Sequence, residues 1–108
     1  MSKTLHGTTT VVLGGEQFTL VPTLKAVRSI EARFGGLRGA ARAQADLSVD
    51  GLAAVMAAGS GYEGDLEQLA EQIWQAGVVQ VAQDIDPFLT ALFKPRGSDQ
   101  GNAKAGKA

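Results

Sequence analysis

Cysteine is missing from all 108 residues, which excludes disulfides, a thiolate nucleophile and cysteine-ligated zinc. The absence fits a reducing compartment. Histidine is nearly missing too: His6 stands alone, and in the polar opening stretch MSKTLHGTTT it reads as a solvated side chain rather than a general base. Basic and acidic residues almost cancel, at 10 and 11, so no net field draws the chain to nucleic acid or to an anionic membrane. Aromatics are sparse and do not alternate with the basic residues, so a stacking platform for single strands is not expected. No apolar run is long enough to span a bilayer, and the N-terminal stretch lacks the apolar core of a signal peptide. The length is that of one domain, expected over residues 1–94. The remainder, 95–108, holds no apolar anchor and is expected to be a disordered tail.

What is present is periodicity. Two β-prone runs, Thr8–Leu13 and Glu16–Val21, flank Gly14-Gly15. A Gly-Gly loop suits a type I′ hairpin, because both central residues need positive φ. That register pairs Val11 with Phe18 and Thr9 with Leu20, and it places Val11, Leu13, Phe18 and Leu20 on one apolar face. Val12, Gln17 and Thr19 point the other way. A lone hairpin is marginal in water, so helices must cover its apolar face.

The helices follow. Thr23 is a candidate N-cap, Leu24, Val27, Ile30 and Phe34 form a stripe at helical spacing, and Gly35 is a stop. LRGAARAQAD is a short helix or a helical turn. Ser48 caps LSVDGLAAVMAAG, with Leu47 and Leu52 placed for a hydrophobic staple, Val49, Leu52, Val55 and Met56 inside, and Gly59 at the end. DLEQLAEQIWQAGVVQVAQDID is the clearest pattern. Asp65 and Gln68 stand as a capping box, and the stripe runs through Leu66, Leu69, Ile73, Trp74, Val78, Val81 and Ile85. Gly77 lowers helix propensity by about 1 kcal/mol relative to alanine and can admit a neighbouring helix. Asp86-Pro87 reads as a cap and first turn for a last helix over residues 88–93. The expected fold is α+β, mostly α: an N-terminal β-hairpin packed on four to five helices.

The charges are segregated. Lys25, Arg28, Arg33, Arg38 and Arg42 share their stretch with one acid, Glu31. Six acids and no basic residue fall between Glu63 and Asp86. Either these are two solvated faces, or they are complementary within the fold or head to tail between copies. GSGYEG, at residues 59–64, matches the glycine spacing of a dinucleotide-binding turn. That turn requires a strand before it and a βαβ unit around it, whereas the preceding residues read as helix. A helix end followed by a joint, with Tyr62 folding over the core, is the expected reading. Asp84 and Asp86 do not share a helix face, and D-x-D without the glycine and distal glutamate is not a calcium loop. No catalytic residue, metal site or cofactor site is expected.

The combination of the hairpin ending in FTL, the helix TLKAVRSIEARFGG and the segment LSVDGLAAVMAAG resembles the tail assembly chaperones of gene transfer agents and long-tailed phages. It is similar, specifically, to the gene-transfer-agent type sometimes labelled a tail tube protein. Leu24, Val27, Ile30-Glu31 and Phe34-Gly35 carry the most specific part. The resemblance extends over residues 7–94 and is looser in the second half, where GSGYEGD stands in place of a longer apolar run. It implies a non-enzymatic protein in the cytoplasm of a bacterial host, which binds the tape-measure protein and leaves before the particle is finished. The alternative is a structural tail component, a tube or tube-associated protein. Tube proteins usually need a larger sheet than one hairpin. Tape-measure proteins are long helical chains, and a helix-in-groove contact suits them. The candidate partner-binding residues are Phe88, Leu92 and Phe93, with Trp74 nearby. The competing reading puts all four in the core, because a domain this small needs nearly every large apolar residue inside.

Overall fold

The computed structural model describes residues 7–94. The expected tail over 95–108 and His6, expected to be solvated, lie outside them. The described chain is mostly helical α+β. Strands β1 (Thr9–Leu13) and β2 (Glu16–Leu20) precede six helices: α1 (Leu24–Phe34), α2 (Leu37–Ala45), α3 (Val49–Ser60), α4 (Leu66–Ala76), α5 (Val78–Asp84) and α6 (Asp86–Phe93).

The hairpin has the expected register, with Val11 opposite Phe18 and Thr9 opposite Leu20. Gly14 and Gly15 take φ values of 57° and 84°, the left-handed pair that a type I′ turn requires. Val11, Leu13, Phe18 and Leu20 are buried, and Val12, Gln17 and Thr19 face outward. The covered face rests on α3, α4 and α5. The end of the hairpin is tied to the C-terminal part of α3, where the Val21 N–H donates to the Gly59 carbonyl at 3.0 Å. At the other end of the ribbon Gly7 lies on α6, where a Cβ would overlap Ala91 and the Pro87 carbonyl.

Helix α3 is the centre of the molecule. Its residues from Gly51 to Met56, and Gly59, are all buried, so it is covered on several faces rather than along one stripe, as a helix apolar all round must be. Small residues make the close approaches possible. A Cβ on Gly51 would lie 2.5 Å from the Ala43 Cβ of α2. Around α3 stand α1 and α2 on one side and α4 on another, with α5 and α6 closing the hairpin side. None of the described polar or charged residues is buried.

Caps set the boundaries. The Thr23 hydroxyl accepts from the Ala26 N–H at 3.1 Å, and Gly35 ends α1 in the left-handed conformation. The Ser48 hydroxyl accepts from Gly51. Asp65 caps α4 by accepting from the Glu67 N–H at 3.0 Å, one residue short of the capping-box geometry expected with Gln68. Helix α3 runs past Gly59 to Ser60, and its left-handed cap is Gly61. The long helix expected from residue 65 to residue 86 is broken. Gly77, at φ 110° and ψ 111°, leaves helical space and separates α4 from α5, which makes six helices where four to five were expected. It does not serve a close approach, since a Cβ there would meet only the Gln80 Cβ, at 4.0 Å. Asp86 is the first residue of α6 rather than its cap, and Pro87 follows it within the first turn.

Candidate interaction surface

The glycine-rich turn resolves into three structural roles. Gly59 lies inside α3 against Phe88 and Leu20, Gly61 caps the helix, and Gly64 passes under the Tyr62 ring. Tyr62 itself folds back as expected. Its ring meets Phe18 edge-on at 6.0 Å, and its hydroxyl donates to the Asp65 carbonyl at 3.1 Å. Helix precedes this turn, so it has no strand from which to present backbone N–H groups to a pyrophosphate. Among the described residues no three or more His, Asp or Glu side chains gather as a metal site.

The four residues expected to form a partner surface divide. Phe88 and Leu92 are buried in the core and present no surface, so for these two the competing reading holds. Trp74, on α4, and Phe93, at the end of α6, are exposed at 65% and 46%. Trp74 is therefore not part of the buried stripe of α4, which consists of Leu69, Ala70 and Ile73. It lies about 100° around the helix from Ile73.

Other large apolar side chains join Trp74 and Phe93 outside: Val12, Leu24, Leu47 and Val79. Leu24 was expected in the α1 stripe, but the buried positions of that helix are Ala26 and Ile30. Leu47 was expected to staple α3 to Leu52. Instead it has a left-handed backbone, φ 57°, the only positive φ outside glycine among the described residues. The reason is the shortness of the α2–α3 joint. Leu47 donates its N–H to the Gln44 carbonyl at 3.1 Å and Ser48 to the Ala43 carbonyl at 2.9 Å. These two bonds form a Schellman end to α2, with leucine in the place usually taken by glycine. The conformation turns the Leu47 side chain outward.

There Leu47 and Val79 face a shallow groove of about 430 Å³ between the end of α2 and α5, completed by Gln44, Ala82, Gln83 and Asp86. Gln44 fixes one wall. Its amide donates to the Ala82 carbonyl at 2.8 Å and to Asp86 Oδ1 at 3.0 Å. Hydropathy spacing alone does not mark this groove. Its signal is the two-residue joint Asp46-Leu47 before a Ser cap, which leaves a leucine in the turn.

Charge segregation persists in three dimensions. The ion pair found among the described residues, Arg42 with Asp46 at 3.3 Å, is local to α2 and exposed, so it contributes little. None joins the basic α1–α2 region to the acidic α4–α6 region. Glu71, Asp84 and Asp86 instead accept from the neutral amides of Gln75, Gln80 and Gln44, which leaves their charge uncompensated. No helix among the described residues is long and apolar enough to cross a membrane. Comparison with models of known protein families, with curated proteins and with solved structures gave no match.

Proposed function

We propose that the chain is a tail assembly chaperone of a gene transfer agent or long-tailed phage. On this reading it acts in the cytoplasm of the bacterial host and binds the tape-measure protein while the tail is built, without catalysing a reaction. The observation that supports this most is Trp74, the one tryptophan of the chain, left 65% exposed on the outer side of α4. An exposed tryptophan offers a large, rigid anchor, the residue type that most often dominates binding energy in an interface. Phe93 adds a second exposed ring. Apolar stripes of a long helix can seat on exposed rings of this kind. The resemblance carried by the hairpin, the first helix and LSVDGLAAVMAAG supplies the identity of that partner.

Co-expression tests the reading. The tape-measure protein encoded nearby should be recovered in the soluble fraction with this chain present and lost to the pellet without it, and Trp74→Ala should weaken the rescue while the chain stays folded. Equal solubility with and without the folded chain counts against a chaperone. Purified particles supply the second check: a chaperone is absent from them, whereas many copies per particle would replace this reading with a structural tail component.

A further inference from the structure

The apolar groove and an apolar knob with opposite electrostatics lie at opposite ends of α3. The knob is Leu24, 63% exposed at the first position of α1. Lys25 adjoins it and Arg28 follows one turn later, both exposed. The hydrogen bond from Val21 to Gly59 holds this end of α1 beside the C-terminal part of α3. The groove lies at the other end, where Leu47 immediately precedes the Ser48 cap of α3. Twelve helical residues separate the two by about 18 Å, so the knob of one molecule cannot fill its own groove.

Charge points to what fills it. Between Ala43 and Phe93 the chain carries eight acidic residues and no lysine or arginine. Asp86 lines the groove and accepts a hydrogen bond from the neutral Gln44 amide, which leaves its charge uncompensated. The basic side chain nearest in sequence, Arg42, is engaged by Asp46. A complementary occupant therefore brings one apolar side chain flanked by cations, and the chain itself displays that arrangement at Leu24, Lys25 and Arg28.

We propose that the Leu47–Val79 groove receives Leu24 from a second copy of the chain, with Lys25 and Arg28 of that copy facing Asp86. The contact is heterologous: each molecule uses its knob on one neighbour and its groove on another, which builds open chains unless the rotation closes a ring. The groove is small beside the roughly 800 Å² per partner of a stable interface. Self-association is therefore weak, rises with concentration and falls with added salt. It goes beyond the chaperone reading and does not depend on it, because only one kind of chain takes part.

Sedimentation of the chain alone, over a wide concentration range at low and high salt, tests the proposal. The average mass should climb with concentration at low salt and return to that of the monomer at high salt. Leu24→Glu and Val79→Glu, both at exposed positions, should each hold the chain monomeric with its helicity unchanged. A double variant K25E/R28E and a variant D86K should each be monomeric alone, and an equimolar mixture should regain association, because the reversed knob of one fits the reversed groove of the other. A chain that is monomeric throughout overturns the proposal. So does association that survives both glutamate substitutions, a mixture that stays monomeric although both variants are folded, or a groove that takes a basic amphipathic peptide while the chain never self-associates.

Discussion

Gly59 of α3 sits beneath the ring of Phe88 of α6: a Cβ on Gly59 would lie 2.8 Å from Phe88 Cζ and 3.1 Å from the Leu20 Cβ. One missing side chain thus lets the central helix, the last helix and the hairpin meet. Replacing Gly59 with valine should lower the unfolding free energy by about 2 kcal/mol, in the range of overpacked cores. Urea denaturation followed by circular dichroism checks this, and a variant as stable as the parent would show that the three elements do not meet there.

The division among the aromatic residues gives a second test. Phe88→Ala removes a fully buried ring and should cost about 3–5 kcal/mol. Trp74→Ala and Phe93→Ala alter exposed side chains and should each cost about 0.5 kcal/mol or less. Indole fluorescence of the free protein should be that of a solvated ring, open to quenching by iodide, and a bound partner should shield it.

Gly77 makes a different demand from Gly59. Space around it is open, but its backbone stands at φ 110° and ψ 111°, where a side chain is strained. Gly77→Ala should destabilise by about 1–3 kcal/mol, although the same change inside a helix would stabilise by about 1 kcal/mol. Thermal melts of the variant give the sign, and a rise in Tm would mean that α4 and α5 can run on as one helix.

Leu47 predicts the reverse. Its left-handed backbone costs about 1–2 kcal/mol relative to a residue at ease there, and its side chain is 42% exposed. Leu47→Gly relieves the strain and gives back part of the gain as unfolded-state entropy. Tm should hold or rise by a few degrees while contacts through the groove weaken. A clear loss of stability would instead assign the leucine side chain a packing role.

Much of this architecture is written locally. The Gly-Gly turn dictates the hairpin register, and alternation then selects Val11, Leu13, Phe18 and Leu20 for burial. Thr23, Gly35, Ser48 and Asp65 mark helix ends through short side chains and left-handed geometry that act within a turn. The misreadings come from packing over distance. On α1 and α4 the alanines Ala26 and Ala70 are buried while Leu24 and Trp74 stay outside. Hydropathy weights the large residue, whereas close helix contact selects the small one. Gly59 looked like a helix end because its packing partner, Phe88, lies far along the chain. The groove was illegible because Leu47 both ends α2 and precedes α3, and the hydrogen bonds that close α2 determine where its side chain points.

The contact of Gly7 with Ala91 and Pro87 brings the two ends of the folded body to the same place. The described chain therefore enters and leaves the folded body at neighbouring points on α6. A short linker between residues 7 and 94 should permit circular permutation, with new termini at the Gly14-Gly15 tip.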